Sequence, residues 1–153
     1  MNWLLAGELA ALVVLALLVA PILYLIGRRR WLGRRGALFD CSLRLRTTTP
    51  DAGWALGVAR YRGDSLEWFG AFSPSLRPRK VFHRGLTRAG AQRSPSHIES
   101  VLLFDDQRII TLESSEAGTW ELAMSPDSLT GLLSWLEASL PGQGYGAPYP
   151  PMG

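Results

Sequence analysis

The first 27 positions contain no basic residue, and lysine is almost absent from the whole chain: fifteen of its sixteen Lys and Arg residues are arginine. The only cysteine, Cys41, excludes an internal disulfide, and nothing near it has zinc-ligand spacing. Histidine occurs twice, as His83 and His97, which leaves little material for general acid–base chemistry. No glycine-rich phosphate loop is present, because Gly27, Gly33 and Gly36 are separated by arginines while Gly57, Gly63 and Gly70 punctuate strand-like runs. A length of 153 residues fits one domain of ordinary size, and a globular part of about 100 residues buries a core without a metal or a disulfide.

Long apolar runs are also scarce, with one exception. Residues 3–26, WLLAGELAALVVLALLVAPILYLI, are long enough to cross about 30 Å of hydrocarbon as a helix. Glu8 is the only charge in the run, close enough to its start to reach the headgroup zone, and Pro21 falls late, where a small kink is tolerated. Both are candidate helix-contact positions. A cleaved secretory signal would carry basic residues before a shorter apolar core, whereas here Arg28, Arg29, Arg30, Arg34 and Arg35 follow it. That asymmetry predicts an anchor at 1–27, a basic linker at 28–36, an outside N-terminus and a cytoplasmic remainder at the cell membrane, with Cys41 a reduced thiol.

From Ala37 the pattern becomes alternation. Phe39, Cys41, Leu43 and Leu45 share one face of a first strand, and WALGVARY and SLEWFGAF follow as two runs joined by a tight Arg62-Gly63-Asp64 connection. Two prolines before Val81 and Phe82 limit the next strand to a short edge. LTRAGAQRSPS reads as a polar connection, and HIESVLLF with RIITLE as a hairpin built on Val101, Leu103, Ile109 and Leu112, turned by Asp105, Asp106 and Gln107. TWELAM points Trp120, Leu122 and Met124 inward.

Ser125 and Pro126 open a helix striped by Leu129, Leu132, Leu133, Leu136 and Leu140, which ends by Pro141. About seven antiparallel strands in two bent sheets, capped by one C-terminal amphipathic helix over residues 37–140, is a mostly β, pleckstrin-homology-like layout. A closed lipocalin-like barrel is disfavoured by length, and a plain sandwich by the leucine helix. Residues 141–153, with four prolines and four glycines, are expected to be a disordered tail.

The single anchor, its RRR flank, FDCSLRLR, WALGVARY, LEWF and the terminal TWELAMSPDSLTGLLSWLEA resemble a family of small actinobacterial membrane proteins, the domain of unknown function 2550 family. The resemblance covers residues 1 to about 140. It implies a membrane anchor with a PH-like domain, and its members are often encoded beside the ATP synthase operon. No catalytic or ligand-binding residue comes with it.

Charge is organised along the chain. Arg77, Arg79, Lys80, Arg84, Arg88 and Arg93 occur with His83 and no acid, whereas residues 99–127 hold seven acids against Arg108 alone. With Arg28 to Arg35, the basic set is a candidate contact for anionic membrane lipids or for the acidic patch of a membrane protein, a second copy of the chain included. Nucleic acid is not expected, since no exposed aromatics interleave with the cations. No cofactor or metal is expected, and Asp105 with Asp106 reads as strand termination. The leading expectation is a non-enzymatic, membrane-tethered interaction domain. An accessory subunit of a transporter or respiratory complex acting through Glu8 and Pro21 is one alternative. The other is an enzyme using His83 or His97 with Asp105 or Glu99.

Overall fold

A computed structural model describes residues 2–34, 36–45, 53–103 and 106–138. The chain divides into two compact units, Met1–Arg35 and Gly36–Gly153.

The first unit is a single helix, α1 (Asn2–Gly33), which runs unbroken through Pro21. It is long and apolar enough to cross a membrane. The basic linker expected over residues 28–36 is helical as far as Gly33, because arginine and leucine are good helix formers and no proline follows Pro21 in the segment. Arg28, Arg29 and Arg30 therefore lie on the helix.

The second unit is an antiparallel assembly of β1 (Leu38–Arg44), β2 (Trp54–Ala55), β3 (Gly57–Arg62), β4 (Ser65–Gly70), β5 (Lys80–His83), β6 (Thr87–Arg93), β7 (Arg108–Ser114) and β8 (Gly118–Met124). A helical turn, α2 (Glu99–Leu102), precedes β7, and α3 (Pro126–Glu137) follows β8. Strand order is β5-β4-β3-β1-β8-β7-β6, with the two-residue β2 also paired to β1.

β1 belongs to two sheets. Its first half, Leu38 to Asp40, pairs with β3, and its second half, Cys41 to Leu43, pairs with β8. The buried indole of Trp68 donates to the Cys41 carbonyl at 2.8 Å, where one pairing gives way to the other. Alternation then sends Cys41, Leu43, Ala59, Leu66, Trp68, Ile110, Leu112, Leu122 and Met124 into one core, which Leu129 and Leu132 of α3 complete. Ser125 caps α3 by accepting from the Ser128 amide at 3.2 Å, with Pro126 behind it. Trp135 packs on Tyr61 with centroids 5.3 Å apart and donates to the Gly63 carbonyl in the β3–β4 turn, where φ is +59°.

The expected mostly β class with a C-terminal helix is what forms. Three local expectations do not. WALGVARY breaks at the exposed Leu56 into β2 and β3. The segment expected to be a polar connection is β6, which pairs with β7 from Thr87↔Ser114 to Arg93↔Ile109 across an irregularity between Ala89 and Gln92. As an edge strand it is held by backbone bonds and buries almost no side chain, so it has no apolar face to betray it.

HIESVLLF is not a strand, and the true hairpin partner of β7 is β8. Ser96 and Glu99 form a reciprocal capping box: the Ser96 hydroxyl accepts from the Glu99 amide at 3.3 Å and the Glu99 carboxylate accepts from the Ser96 amide at 2.9 Å. Val101 is left 82 % exposed, while Leu103 packs with Ile109 and Ala123 in a small second core on the other face of the sheet. Asp105, Arg35, Leu140 and the tail at 141–153 lie outside the described residues.

Burial raises the Cys41 thiol well above its ordinary range. The folded chain is therefore expected to resist a thiol reagent at neutral pH and to react once denatured, read by the absorbance of the released thiolate. Leu132→Ala, which empties a fully buried site under α3, is expected to lower stability by about 2–5 kcal/mol in urea titration.

Candidate interaction surface

The end of β4, the loop after it, β2 and α2 surround an open groove of about 630 Å³. Trp54, Leu56, Trp68, Phe72 and Leu102 make its apolar lining, with Arg79 among them. Large apolar side chains are usually withdrawn from water, yet Phe72 is 79 % exposed and Leu102 54 %. A smaller hollow of about 290 Å³, between Arg88, Glu113, Ser114 and Thr119, is polar.

The groove is held in shape by a buried carboxylate. Glu99 is fully buried and accepts from Arg93 Nη1 at 2.6 Å, Arg93 Nη2 at 2.9 Å and Trp54 Nε1 at 3.1 Å, besides its bond to the Ser96 amide. Arg93 reaches on to Glu121 at 3.1 Å, and Arg44 holds the other oxygen of that carboxylate at 2.5 Å. One chain of charge thus ties α2, β2, β6, β8 and β1. The Arg93 hydrogen bonds, aided by the Ser96 amide and the Trp54 indole, outweigh burial and hold the Glu99 pKa down at about 2.

This network corrects the expected separation of a basic loop from an acidic side. Arg93 is bound to two of the acids, and Arg84 forms an ion pair with Asp64 while lying over the Trp135 ring at 5.5 Å. Lys80 sits over Trp120 at 4.1 Å, and Arg88 stands opposite Glu113 in the β6–β7 ladder. Arg77 and Arg79 are exposed in the β4–β5 loop, and of the six basic residues from 77 to 93 Arg79 is the one that lines the groove. Arg28, Arg29, Arg30 and Arg34 belong to the other unit, as do Glu8 and Pro21 within α1.

Neither histidine lines either hollow. His83 Nδ1 lies 3.0 Å from Ser65 Oγ, and its Nε2 is 3.9 Å from Glu116, both at the surface. His97 is exposed in the turn before α2, and the Glu99 proposed as its orienter is occupied by Arg93. The groove itself had no sequence signature, because Trp54, Phe72 and Leu102 come from segments far apart in the chain. Among the described residues, no group of three or more His, Cys, Asp and Glu side chains is arranged to hold a metal ion.

The sequence model of the family described as "Protein of unknown function (DUF2550)" matches residues 12–142. Two mycobacterial relatives align along nearly the whole chain. An uncharacterized protein of Mycobacterium tuberculosis is 28 % identical over 135 residues, which is 86 % of this chain and 88 % of that one. Another, from Mycobacterium leprae, is 26 % identical over 138 residues, covering 87 % and 92 %. No solved structure matches.

Because the folded pKa of Glu99 is depressed, its contribution to stability is present above the unfolded value of about 4.3 and is lost as pH falls through about 2. Glu99→Gln, which removes one partner of a buried ion pair, is expected to cost about 3–5 kcal/mol at pH 7. The gap between the variant and the parent should close as the solution is acidified from about pH 5 towards pH 2, in thermal unfolding followed by circular dichroism.

Proposed function

The chain belongs to the DUF2550 family, whose function is unknown, and from that premise we propose that it is a non-enzymatic interaction domain tethered to the cell membrane, making its contacts at the membrane surface. The observation that carries the reading is the groove, whose lining residues Phe72 and Leu102 project into water beside Arg79. An exposed apolar surface of this kind is stabilised by a partner and has no use in an isolated domain.

Position supplies the rest of the argument. α1 has the length and apolarity of a single membrane span, with arginines at its C-terminal end and none at its start. The cost of moving arginine across hydrocarbon favours an outside N-terminus and a cytoplasmic second unit. Only residues 34–37 lie between α1 and β1, so weak contacts at the surface are repeated at high effective concentration. We read the two sheets closed by α3 as PH-like, a fold that does not by itself fix a ligand. Anionic headgroups and a membrane protein bound nearby, a second copy included, are the partners this placement favours. A second reading, an accessory subunit of a transporter or respiratory complex acting through α1, rests on Glu8, a carboxylate within the apolar helix.

A photocrosslinking residue at Leu102 of the full chain in native membranes is expected to capture lipid or one recurrent protein. Capture of neither contradicts the reading. Labelling of single cysteines introduced at Asn2 and Glu116 with a membrane-impermeant reagent in intact cells is expected only at Asn2. Labelling of Glu116→Cys alone would reverse the orientation.

A further inference from the structure

The loop between β4 and β5, residues 71–79, has the composition of a surface that leaves water. Phe72 and Leu76 project from it as exposed apolar side chains, Arg77 and Arg79 are exposed beside them, and Pro74 and Pro78 stiffen it. No acid occurs anywhere between Glu67 and Glu99.

Five amides of this loop donate to neighbouring backbone or serine oxygens. Ala71 donates to the Leu56 carbonyl at 2.8 Å, Ser73 to the Gly70 carbonyl at 3.3 Å and Arg79 to the Trp68 carbonyl at 2.8 Å. The amides of Ser75 and Arg77 donate to the hydroxyls of Ser73 and Ser75, at 3.3 and 3.1 Å. Pro74 and Pro78 have no amide hydrogen to satisfy.

We propose that the β4–β5 loop and the adjoining groove form a docking face for an anionic bilayer surface, with Phe72 and Leu76 entering below the headgroups and Arg77 and Arg79 held among the phosphates. The proposal rests on the membrane-surface reading above and names the partner within it. Charge complementarity selects the bilayer, since the loop presents two cations beside two apolar tips and carries no acid. Arginine forks onto phosphate oxygens while its stem covers apolar surface.

The test uses the full chain reconstituted in vesicles of phosphatidylcholine alone and of phosphatidylcholine with phosphatidylglycerol. Leu76→Cys carries an environment-sensitive fluorophore, and the buried Cys41 stays unlabelled. Blue-shifted emission, quenched by brominated lipid, is expected with phosphatidylglycerol and not without it. Arg77→Gln with Arg79→Gln is expected to move the docked fraction about thirtyfold towards the undocked state, and circular dichroism checks that both remain folded. A fluorophore that stays in water in both vesicles overturns the docking face. If Leu102 then still crosslinks to a protein, the interaction reading survives without the bilayer; if it crosslinks to nothing, both fall. Docking unaffected by loss of both arginines overturns the charge-selected partner.

Discussion

A fully buried carboxylate, Glu99, is the constraint on which the shape of the groove depends. It satisfies its oxygens with a forked arginine, an indole and a backbone amide, and each donor comes from a different stretch of chain: Arg93 ends β6, Trp54 begins β2 and Ser96 lies in the turn before α2. An isolated ionised carboxylate in that position would cost several kcal/mol. The same ion, fully bonded, fixes the two walls of the groove, because Trp54 and Leu102 stand on the segments it joins.

The strand assembly supplies a rigid frame for this clasp. β1 changes partners midway, so its two halves lie in different sheets, and the Trp68 indole bonded to the Cys41 carbonyl marks the change. Leu56 breaks β2 from β3 on the neighbouring strand and is left exposed at the groove. α3 completes the core between the sheets with Leu129 and Leu132. The β4–β5 loop and α2 carry exposed apolar side chains, and Phe72 and Leu102 from them line the groove.

Much of this architecture was legible in the sequence where burial imposes a period. The apolar span, the alternating face of β1, the β3–β4 turn, β8 and the leucine face of α3 follow from spacing alone. Two elements escaped for opposite reasons. β6 buries almost no side chain, so only its backbone pairing with β7 defines it. α2 has the apolar content of a strand, yet the Ser96-x-x-Glu99 box was present in the sequence and signals a helical start. The basic residues from 77 to 93 looked like one patch because linear order does not reveal pairing. Folding brings Arg93 to Glu99 and Glu121 and Arg84 to Asp64, and leaves Arg77 and Arg79 exposed in the β4–β5 loop.

If Phe72, Leu76 and Leu102 meet a membrane surface, hydrogen–deuterium exchange of the full chain in lipid nanodiscs slows with anionic lipid at residues 71–79 and 98–103 and nowhere else. Unchanged exchange there, or protection centred instead on the polar edge strand β6, would contradict that contact.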